Sequence, residues 1–154
     1  MTRAAVFLST FGYIGYAPVA PGTFGSAAGL ALFYLLRATG IPWIEPVVIV
    51  AIFAIGAWAG SVAERYFGGI DPGPIVIDEV LGMLVTLAFL PVSVTGAIVG
   101  FFLFRLLDIV KPWPARRLES LHGGLGIMAD DGMVGIYGNL LMRALMVIAP
   151  EWLA

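Results

Sequence analysis

The chain has 154 residues, of which 60% are hydrophobic and only 12% are charged, and its mean hydropathy is +1.00. Soluble domains are about 45–50% apolar and about 25% charged, so this composition excludes an ordinary soluble protein and predicts a single membrane-embedded domain over residues 1–154. The net charge of −2, without a basic stripe, argues against nucleic-acid binding, and the absence of cysteine excludes a cysteinyl-phosphate intermediate.

Five helices are predicted, separated by loops rich in glycine and proline. Three long segments contain no charged residue and can lie in the bilayer core; they run between positions 3 and 37, 45 and 64, and 79 and 105. Glycine and proline residues divide the first of these segments and mark the loops between the later helices. The predicted helices cover residues 24–36, 46–67, 77–90, 93–110 and 132–148. The predicted fold class is therefore all-α, an integral membrane bundle of about five hydrophobic helices.

Some of these helices are short for a membrane span. The first has 13 residues, which at about 1.5 Å per residue cover about 20 Å of a hydrocarbon core about 30 Å thick. We therefore expect the first and third helices to be partly embedded or to thin the membrane locally. Small residues along the first two helices suit close helix contacts in lipid: Gly22, Gly25, Ser26, Gly29, Gly56 and Gly60.

Counting crossings predicts that most of the charged residues share one face of the membrane. If each helix crosses once, the loops at 12–23, 67–77 and 111–131 lie together, whereas 38–46, Pro91 and the C-terminus lie on the other side. The first face collects most of the lysine and arginine residues. By the positive-inside rule that face is cytoplasmic.

Acidic residues occur at helix ends on this same face. Asp78 and Glu79 open the third predicted helix, Asp108 lies near the end of the fourth, and Asp130 and Asp131 open the fifth. Carboxylates near bilayer depth are costly unless they are paired or bind a cation. Because these ligands are oxygens and the chain has one histidine, the pattern favours Mg²⁺ or Mn²⁺ over zinc. The alternative is that Asp78 and Asp130 only cap their helices.

Basic residues accompany these carboxylates. Arg105, Asp108 and Lys111 are spaced i, i+3, i+6, so that Asp108 adjoins both basic residues at one helix end. In the simpler interpretation, Asp108 only forms an ion pair with a basic residue of its own helix. In the functional interpretation, Arg105 and Lys111 bind phosphate oxygens, as a forked donor and a point charge respectively.

A glycine-containing segment, residues 21–26, opens the first predicted helix. Backbone N–H groups at Gly22 and Thr23, together with the Thr23 hydroxyl and the helix dipole, can bind an anion. Alternatively, Thr23 is only an N-cap. The segment does not match a Walker A sequence, so nucleotide binding is not indicated. His122 can act as an acid or base, but a single histidine in a loop is more simply an ordinary surface residue.

Four segments carry these charges and glycines, and they span most of the chain. They are APGTFGS at 20–26, IDEVLGM at 77–83, FRLLDIVKPWP at 104–114 and HGGLGIMADDGMVGIY at 122–137. In this order they resemble the phosphatidylglycerophosphatase A family of bacterial membrane enzymes. In one departure from the expected pattern, Gly132 follows the aspartate pair where relatives are expected to have an apolar residue.

The resemblance implies a multi-pass enzyme of the bacterial cytoplasmic (inner) membrane with its active site facing the cytoplasm. Such an enzyme removes the terminal phosphate of phosphatidylglycerophosphate, using one or two Mg²⁺ ions, and gives phosphatidylglycerol and inorganic phosphate. The partners are thus the phospholipid substrate and the membrane. The acidic positions of the family correspond to Asp78, Glu79, Asp108, Asp130 and Asp131.

Residue chemistry and resemblance together predict the site. Asp78, Glu79, Asp130 and Asp131 are the predicted metal ligands, and Glu79, Asp108 and Asp131 the predicted catalytic residues. Gly22, Thr23, Arg105 and Lys111 are predicted to bind the phosphate. We favour attack by water over an aspartyl-phosphate because the DxDx(T/V) arrangement that usually accompanies the latter is missing. The alternatives are a small transporter or a structural membrane subunit with paired buried charges, but charges gathered at helix ends on one side favour a surface site.

Overall fold

The computed structural model describes residues 1–121 and 123–154, apart from the side chain of Glu119. The prediction for His122 therefore lies outside the described residues. The described chain contains only helices, so the all-α prediction is confirmed. They are α1 (Thr2–Ser9), α2 (Pro21–Ala38), α3 (Ile44–Phe67), α4 (Ile77–Leu87), α5 (Val94–Val110), α6 (Ala115–Glu119), α7 (Gly124–Ile148) and α8 (Pro150–Leu153), with a 3₁₀ turn at Ile14–Tyr16.

Two helices of the bundle, α3 and α7, are long and apolar enough to cross a bilayer. They have 24 and 25 residues, and their most apolar windows have mean hydropathies of 2.1 and 1.2. Only 28% of each window is buried inside the protein. The outward-facing surface of α3 includes Val50 and Trp58, which are 68% and 46% exposed. Because so much apolar surface has no protein cover, lipid is its natural surrounding.

The short helix α4 lies at the centre of the bundle, between α2 and α7. Glycines allow the close approach. A Cβ atom added at Gly29 of α2 would lie 2.9 Å from Met83 Cβ, and one at Gly135 of α7 would lie 2.6 Å from the carbonyl oxygen of Gly82. Larger residues at these positions would push the helices apart. The predicted role of small residues in helix contacts is thus seen for α2, and it extends to α7.

Neighbouring side chains satisfy the free carbonyl groups at the end of α4. Asn139 of α7 donates from Nδ2 to the carbonyls of Val85, Thr86 and Ala88 at 3.1, 3.1 and 2.9 Å. Arg37 donates to the Leu90 carbonyl at 3.0 Å and pairs with Glu45. In a membrane these carbonyls have little access to water, so such partners allow α4 to stop at Leu87, after about 16 Å, rather than at the predicted residue 90.

Two further sequence-based boundaries were wrong. Helix α2 begins at Pro21 rather than residue 24, because proline at the first helical position is favourable. Helix α7 begins at Gly124 rather than residue 132. A Cβ at Gly124 would lie 2.6 Å from the Ser61 backbone nitrogen and would overlap the Ala57 carbonyl oxygen. The glycines that indicated a loop therefore serve close packing of α7 against α3. Helices α1, α6 and α8 were not predicted.

Charged helix ends gather at one side of the bundle. α2, α4 and α7 begin there, while α3 and α5 end there: Gly22 adjoins Glu79 and Arg105, and Glu64 accepts a hydrogen bond from Gly123 N at 2.9 Å. We call this side the charged end. The Arg37–Glu45 pair lies at the opposite end, with the α3 N-terminus. The arrangement brings together the acidic and basic residues that the sequence pattern had assigned to one face.

Candidate active site

Three carboxylates from two helices meet inside the charged end. Asp78 and Glu79 lie in the first turn of α4, and Asp131 lies in the second turn of α7. One oxygen atom of each lies within 4.8 Å of the others. The side chain of Glu79 is 15% exposed, and Asp131 is buried. We call these three residues the carboxylate cluster.

Each member of the carboxylate cluster has an oxygen without a donor. Asp78 Oδ1, Glu79 Oε2 and Asp131 Oδ2 are buried and have no hydrogen-bond partner among the described residues. A buried anionic oxygen without a donor or cation is strongly destabilising. Oxygen-only ligands at this spacing fit a hard divalent cation such as Mg²⁺. The residues present therefore could hold a metal ion.

The first turn of α4, a helix too short to span a membrane, is electrostatically crowded. Burial, followed by the charge of Glu79, holds the pKa of Asp78 well above its usual range. Burial, followed by the charge of Asp131, raises the pKa of Glu79 to about 8. Both shifts mean that the charged forms lack sufficient compensation, and a bound divalent cation would supply it.

Arg105 of α5 borders the carboxylate cluster. Its Nη1 donates to Asp108 Oδ2 at 2.7 Å, lies 3.4 Å from Ser26 Oγ and is 4.0 Å from Glu79 Oε1. The side chain is 18% exposed, so part of it is accessible from outside the bundle. The predicted neighbourhood of Arg105 and Asp108 is present, and Asp108 orients the arginine.

Lys111 and Asp130 form a second ion pair beside the cluster. Lys111 Nζ lies 2.6 Å from Asp130 Oδ2, and the other oxygen of Asp130 accepts from the backbone N–H of Asp131 at 2.9 Å. Burial alone lowers the pKa of Lys111, but its hydrogen bond to Asp130 and the nearby aspartate charges together raise that pKa above its usual value. Asp130, a predicted metal ligand, is thus oriented toward Lys111 and lies outside the group of three that could hold a metal.

The start of α2 contributes Gly22 to the site. Gly22 is buried, and a Cβ there would overlap Glu79 Oε1 and lie 3.1 Å from Arg105 Nη1. Thr23 is exposed, and its backbone N–H donates to the Ala20 carbonyl at 2.9 Å. Ala20 is the N-cap of α2, so the alternative reading of Thr23 as an N-cap is wrong.

Gly22→Ala is expected to lower kcat by about 10- to 100-fold, because the methyl group would displace both Glu79 and Arg105 from their positions. Alanine has a higher helix propensity than glycine, so we expect the melting temperature to fall much less than it would after a substitution that disrupts the hydrophobic core. Phosphate-release kinetics and thermal unfolding check the two effects. Gly73→Ala is the matched control, because no atom lies within 4 Å of the added methyl; equal activity of the two variants would contradict the proposed crowding.

The sequence pattern missed the residues that fasten α7 to α3. Glu64 Oε2 accepts from Gly123 N at 2.9 Å, and Ser61 Oγ accepts from Gly124 N at 2.8 Å. These side chains cap a helix that has no capping side chain of its own. Their spacing of three residues puts them on one face of α3, but only the packed structure identifies their partner. Ser26, which lies beside Arg105, belongs to the glycine-containing segment at residues 21–26 but was not among the residues predicted to bind the phosphate.

The comparisons with known proteins agree on one family. Residues 7–146 match the family model described as Phosphatidylglycerophosphatase A. Phosphatidylglycerophosphatase A of Escherichia coli strain K12 is 39% identical over 125 residues, covering 79% of this chain and 72% of the relative. The Haemophilus influenzae protein of the same name is 37% identical over 129 residues, covering 82% and 78%.

A further relative carries a different name. A putative phosphatidylinositol-3-phosphatase of Bacteroides thetaiotaomicron is 36% identical over 135 residues, covering 83% of this chain and 84% of the relative. No solved structure gives a significant match. The family match over most of the chain nevertheless decides the class of protein. The chain therefore belongs to the phosphatidylglycerophosphatase A family and is a lipid phosphatase, a phosphomonoester hydrolase.

Proposed function

We propose that the protein hydrolyses the terminal phosphate of phosphatidylglycerophosphate in a Mg²⁺-dependent reaction that gives phosphatidylglycerol and inorganic phosphate. The observation that carries the proposal is the carboxylate cluster beside the Arg105 guanidinium, in which each carboxylate has one buried oxygen without a donor in the described part of the chain. Membership of the phosphatidylglycerophosphatase A family supports this choice of substrate.

Asp78, Glu79 and Asp131 would hold the metal, as one ion or two. When bound, Mg²⁺ would neutralise phosphate charge and make water a better nucleophile. Asp130 would help to hold Asp131 and Lys111 in position, because it accepts hydrogen bonds from the backbone N–H of Asp131 and from the Lys111 ammonium. The sequence pattern predicted that Lys111 binds phosphate oxygens as a point charge. Its ammonium, which donates to Asp130, would add positive charge beside the phosphate.

Arg105 would bind the phosphate oxygens. A guanidinium has five N–H donors, and the contacts with Asp108 and Ser26 both involve Nη1. Charge on the equatorial oxygens would therefore be stabilised by donors that Asp108 holds in place. Gly22 matters because it leaves room for Arg105 and Glu79, and the exposed Thr23 hydroxyl lies at the same helix start.

The reaction requires one water molecule. Its oxygen attacks phosphorus, the bond between phosphorus and the glycerol oxygen breaks, and the glycerol oxygen takes up a proton. Asp108 is the proposed proton acceptor for the attacking water: Oδ2 accepts from Arg105, and Oδ1 would take the proton. Attack by an aspartate is the less favoured route, and hydroxylamine-sensitive phosphate on the protein during turnover would support it instead.

The charged end is proposed to face the cytoplasm of a bacterial cell, with the protein in the cytoplasmic membrane. Basic residues concentrate at this end, which is the pattern expected of a cytoplasmic face. They include Arg65, Arg105, Lys111, Arg116 and Arg117.

A second candidate substrate is phosphatidylinositol 3-phosphate, which the name of the Bacteroides relative suggests. The two lipids share a phosphomonoester and differ in the alcohol that carries it. The carboxylate cluster and Arg105 recognise the shared phosphate, so they do not favour either alcohol. The choice of phosphatidylglycerophosphate rests on the family match and on the two relatives that carry that name.

Phosphate release from purified protein tests the proposal. We expect turnover of phosphatidylglycerophosphate with Mg²⁺, loss of activity when EDTA removes the metal, and recovery when excess Mg²⁺ is added back. Phosphatidylinositol 3-phosphate is assayed in parallel at the same surface concentration. Faster turnover of the inositol lipid would replace the proposed substrate, and full activity in EDTA would overturn the metal assignment.

A further inference from the structure

An apolar groove runs beside the carboxylate cluster, between α3, α4 and α7. Its volume is about 390 Å³, and its lining includes Phe53, Leu81, Gly132 and Ile136. Every lining residue is apolar or glycine. The volume falls within the range of about 300–1,000 Å³ that is typical of small-molecule sites.

The groove begins next to the carboxylates. Leu81 follows Asp78 by three residues on α4, so both side chains lie on the same face of that helix. Gly132 directly follows Asp131 on α7. The two helices that carry the carboxylate cluster therefore also form two walls of the groove.

From there the groove extends toward the opposite end of the bundle. Leu118 of α6 lines it near the charged end, whereas Ile49 lies in the second turn of α3, which begins at the other end. Along α7 the lining runs from Ala129 to Ile136, about 10 Å. If the phosphate of a lipid is held at the carboxylate cluster, an acyl chain that follows the groove would thus lead into the hydrophobic interior of the membrane.

Gly132 keeps the groove open at the end nearest the carboxylate cluster. A Cβ at this position would meet only Leu81 Cδ2, at 3.7 Å, which is an ordinary van der Waals contact. Most helical glycines of this bundle are different; a Cβ at Gly82 or Gly135, for example, would lie 2.9 or 2.6 Å from a backbone oxygen. The missing side chain at Gly132 therefore leaves space for something other than a neighbouring helix.

We propose that this groove binds one acyl chain of the lipid substrate while the phosphate lies at the carboxylate cluster. The proposal rests on the proposed function, because it requires a substrate in which phosphate and acyl chains belong to one molecule. Continuity with the cluster and a purely apolar lining identify the occupant as hydrocarbon. Buried methylenes then contribute to substrate affinity, and the groove makes the enzyme selective for chain length.

Gly132→Phe tests the groove, because the added ring would fill the space beside Leu81. Purified variants are assayed on dihexanoyl- and dipalmitoyl-phosphatidylglycerophosphate in the same mixed micelles with saturating Mg²⁺. We expect kcat/KM for the long-chain lipid to fall roughly tenfold, which corresponds to excluding about two methylenes, and the value for the short-chain lipid to fall less, because its acyl chains bury fewer methylenes in the groove. Gly132→Leu provides the same comparison if the larger side chain prevents folding, which thermal unfolding would reveal.

Leu141→Phe is the matched control on the same helix. Leu141 lines a different apolar groove, together with Leu107 and Trp113, and its substitution should leave the chain-length ratio unchanged. The acyl-chain assignment is overturned if Gly132→Phe lowers both activities equally, changes neither, or is matched by Leu141→Phe. Failure of the wild type on both lipids would instead overturn the proposed function, so the two failures are distinguishable.

Discussion

Asp131→Asn is expected to reduce kcat on the order of 10³-fold, because it removes a charged oxygen from the group that would hold the metal. It should also change stability in a way that simple damage to the fold would not. Without metal, removing one of three crowded carboxylates relieves repulsion, so the melting temperature in EDTA should rise. The stabilisation that Mg²⁺ gives the wild type should be lost, because binding to the folded state is its source.

Thermal unfolding in detergent with EDTA and with Mg²⁺, alongside phosphate release, measures all three effects. Glu151→Gln is the control, since Glu151 is exposed in α8, and neither Asp78, Glu79 nor Asp131 lies in that helix. An Asp131→Asn protein that keeps both its activity and its response to Mg²⁺ would exclude Asp131 from the metal site.

Arg105→Ala is expected to lower kcat by about 10²- to 10³-fold, the usual cost of removing a preorganised donor that stabilises transition-state charge. The loss includes the pairing with Asp108 and the nearby positive charge for Glu79. Arg105→Lys should recover only part of the activity, because an ammonium keeps the charge but not the planar fork.

Steady-state kinetics on phosphatidylglycerophosphate separate kcat from KM for these variants. Arg65→Ala serves as the control at the same end of the bundle, because Arg65 is exposed and donates to a carbonyl of its own helix. If Arg105→Ala behaves like Arg65→Ala, the guanidinium has no role in binding the phosphate.

Local properties of the chain made the helices and the site chemistry predictable. Hydropathy, charge-free segments and the prolines after Lys111 identified α3 and α5 to within about two residues. They did not identify the start of α7, since Gly124 and Gly126 indicate a loop unless the close approach of α3 and the capping by Ser61 and Glu64 are known. A glycine has one meaning in a turn and another at a helix contact, and only the partner distinguishes them.

The candidate site, too, was predictable only in part from the sequence. Residue types and spacing indicated acidic and basic groups at one end, but not which of them meet. Asp130 and Asp131 are neighbours in sequence, yet consecutive residues of a helix point about 100° apart. One pairs with Lys111, and the other joins Asp78 and Glu79.

The sequence by itself determined that this chain is helical, is apolar enough for a membrane and carries acidic and basic residues near several helix ends, because hydrophobicity and residue chemistry are local properties. The tertiary structure decided which three carboxylates share a space, that Gly22 makes room for Glu79 and Arg105, and that a groove opens at Gly132. Those features depend on how α2, α4 and α7 pack, and packing distances are set by contacts between residues far apart in the chain.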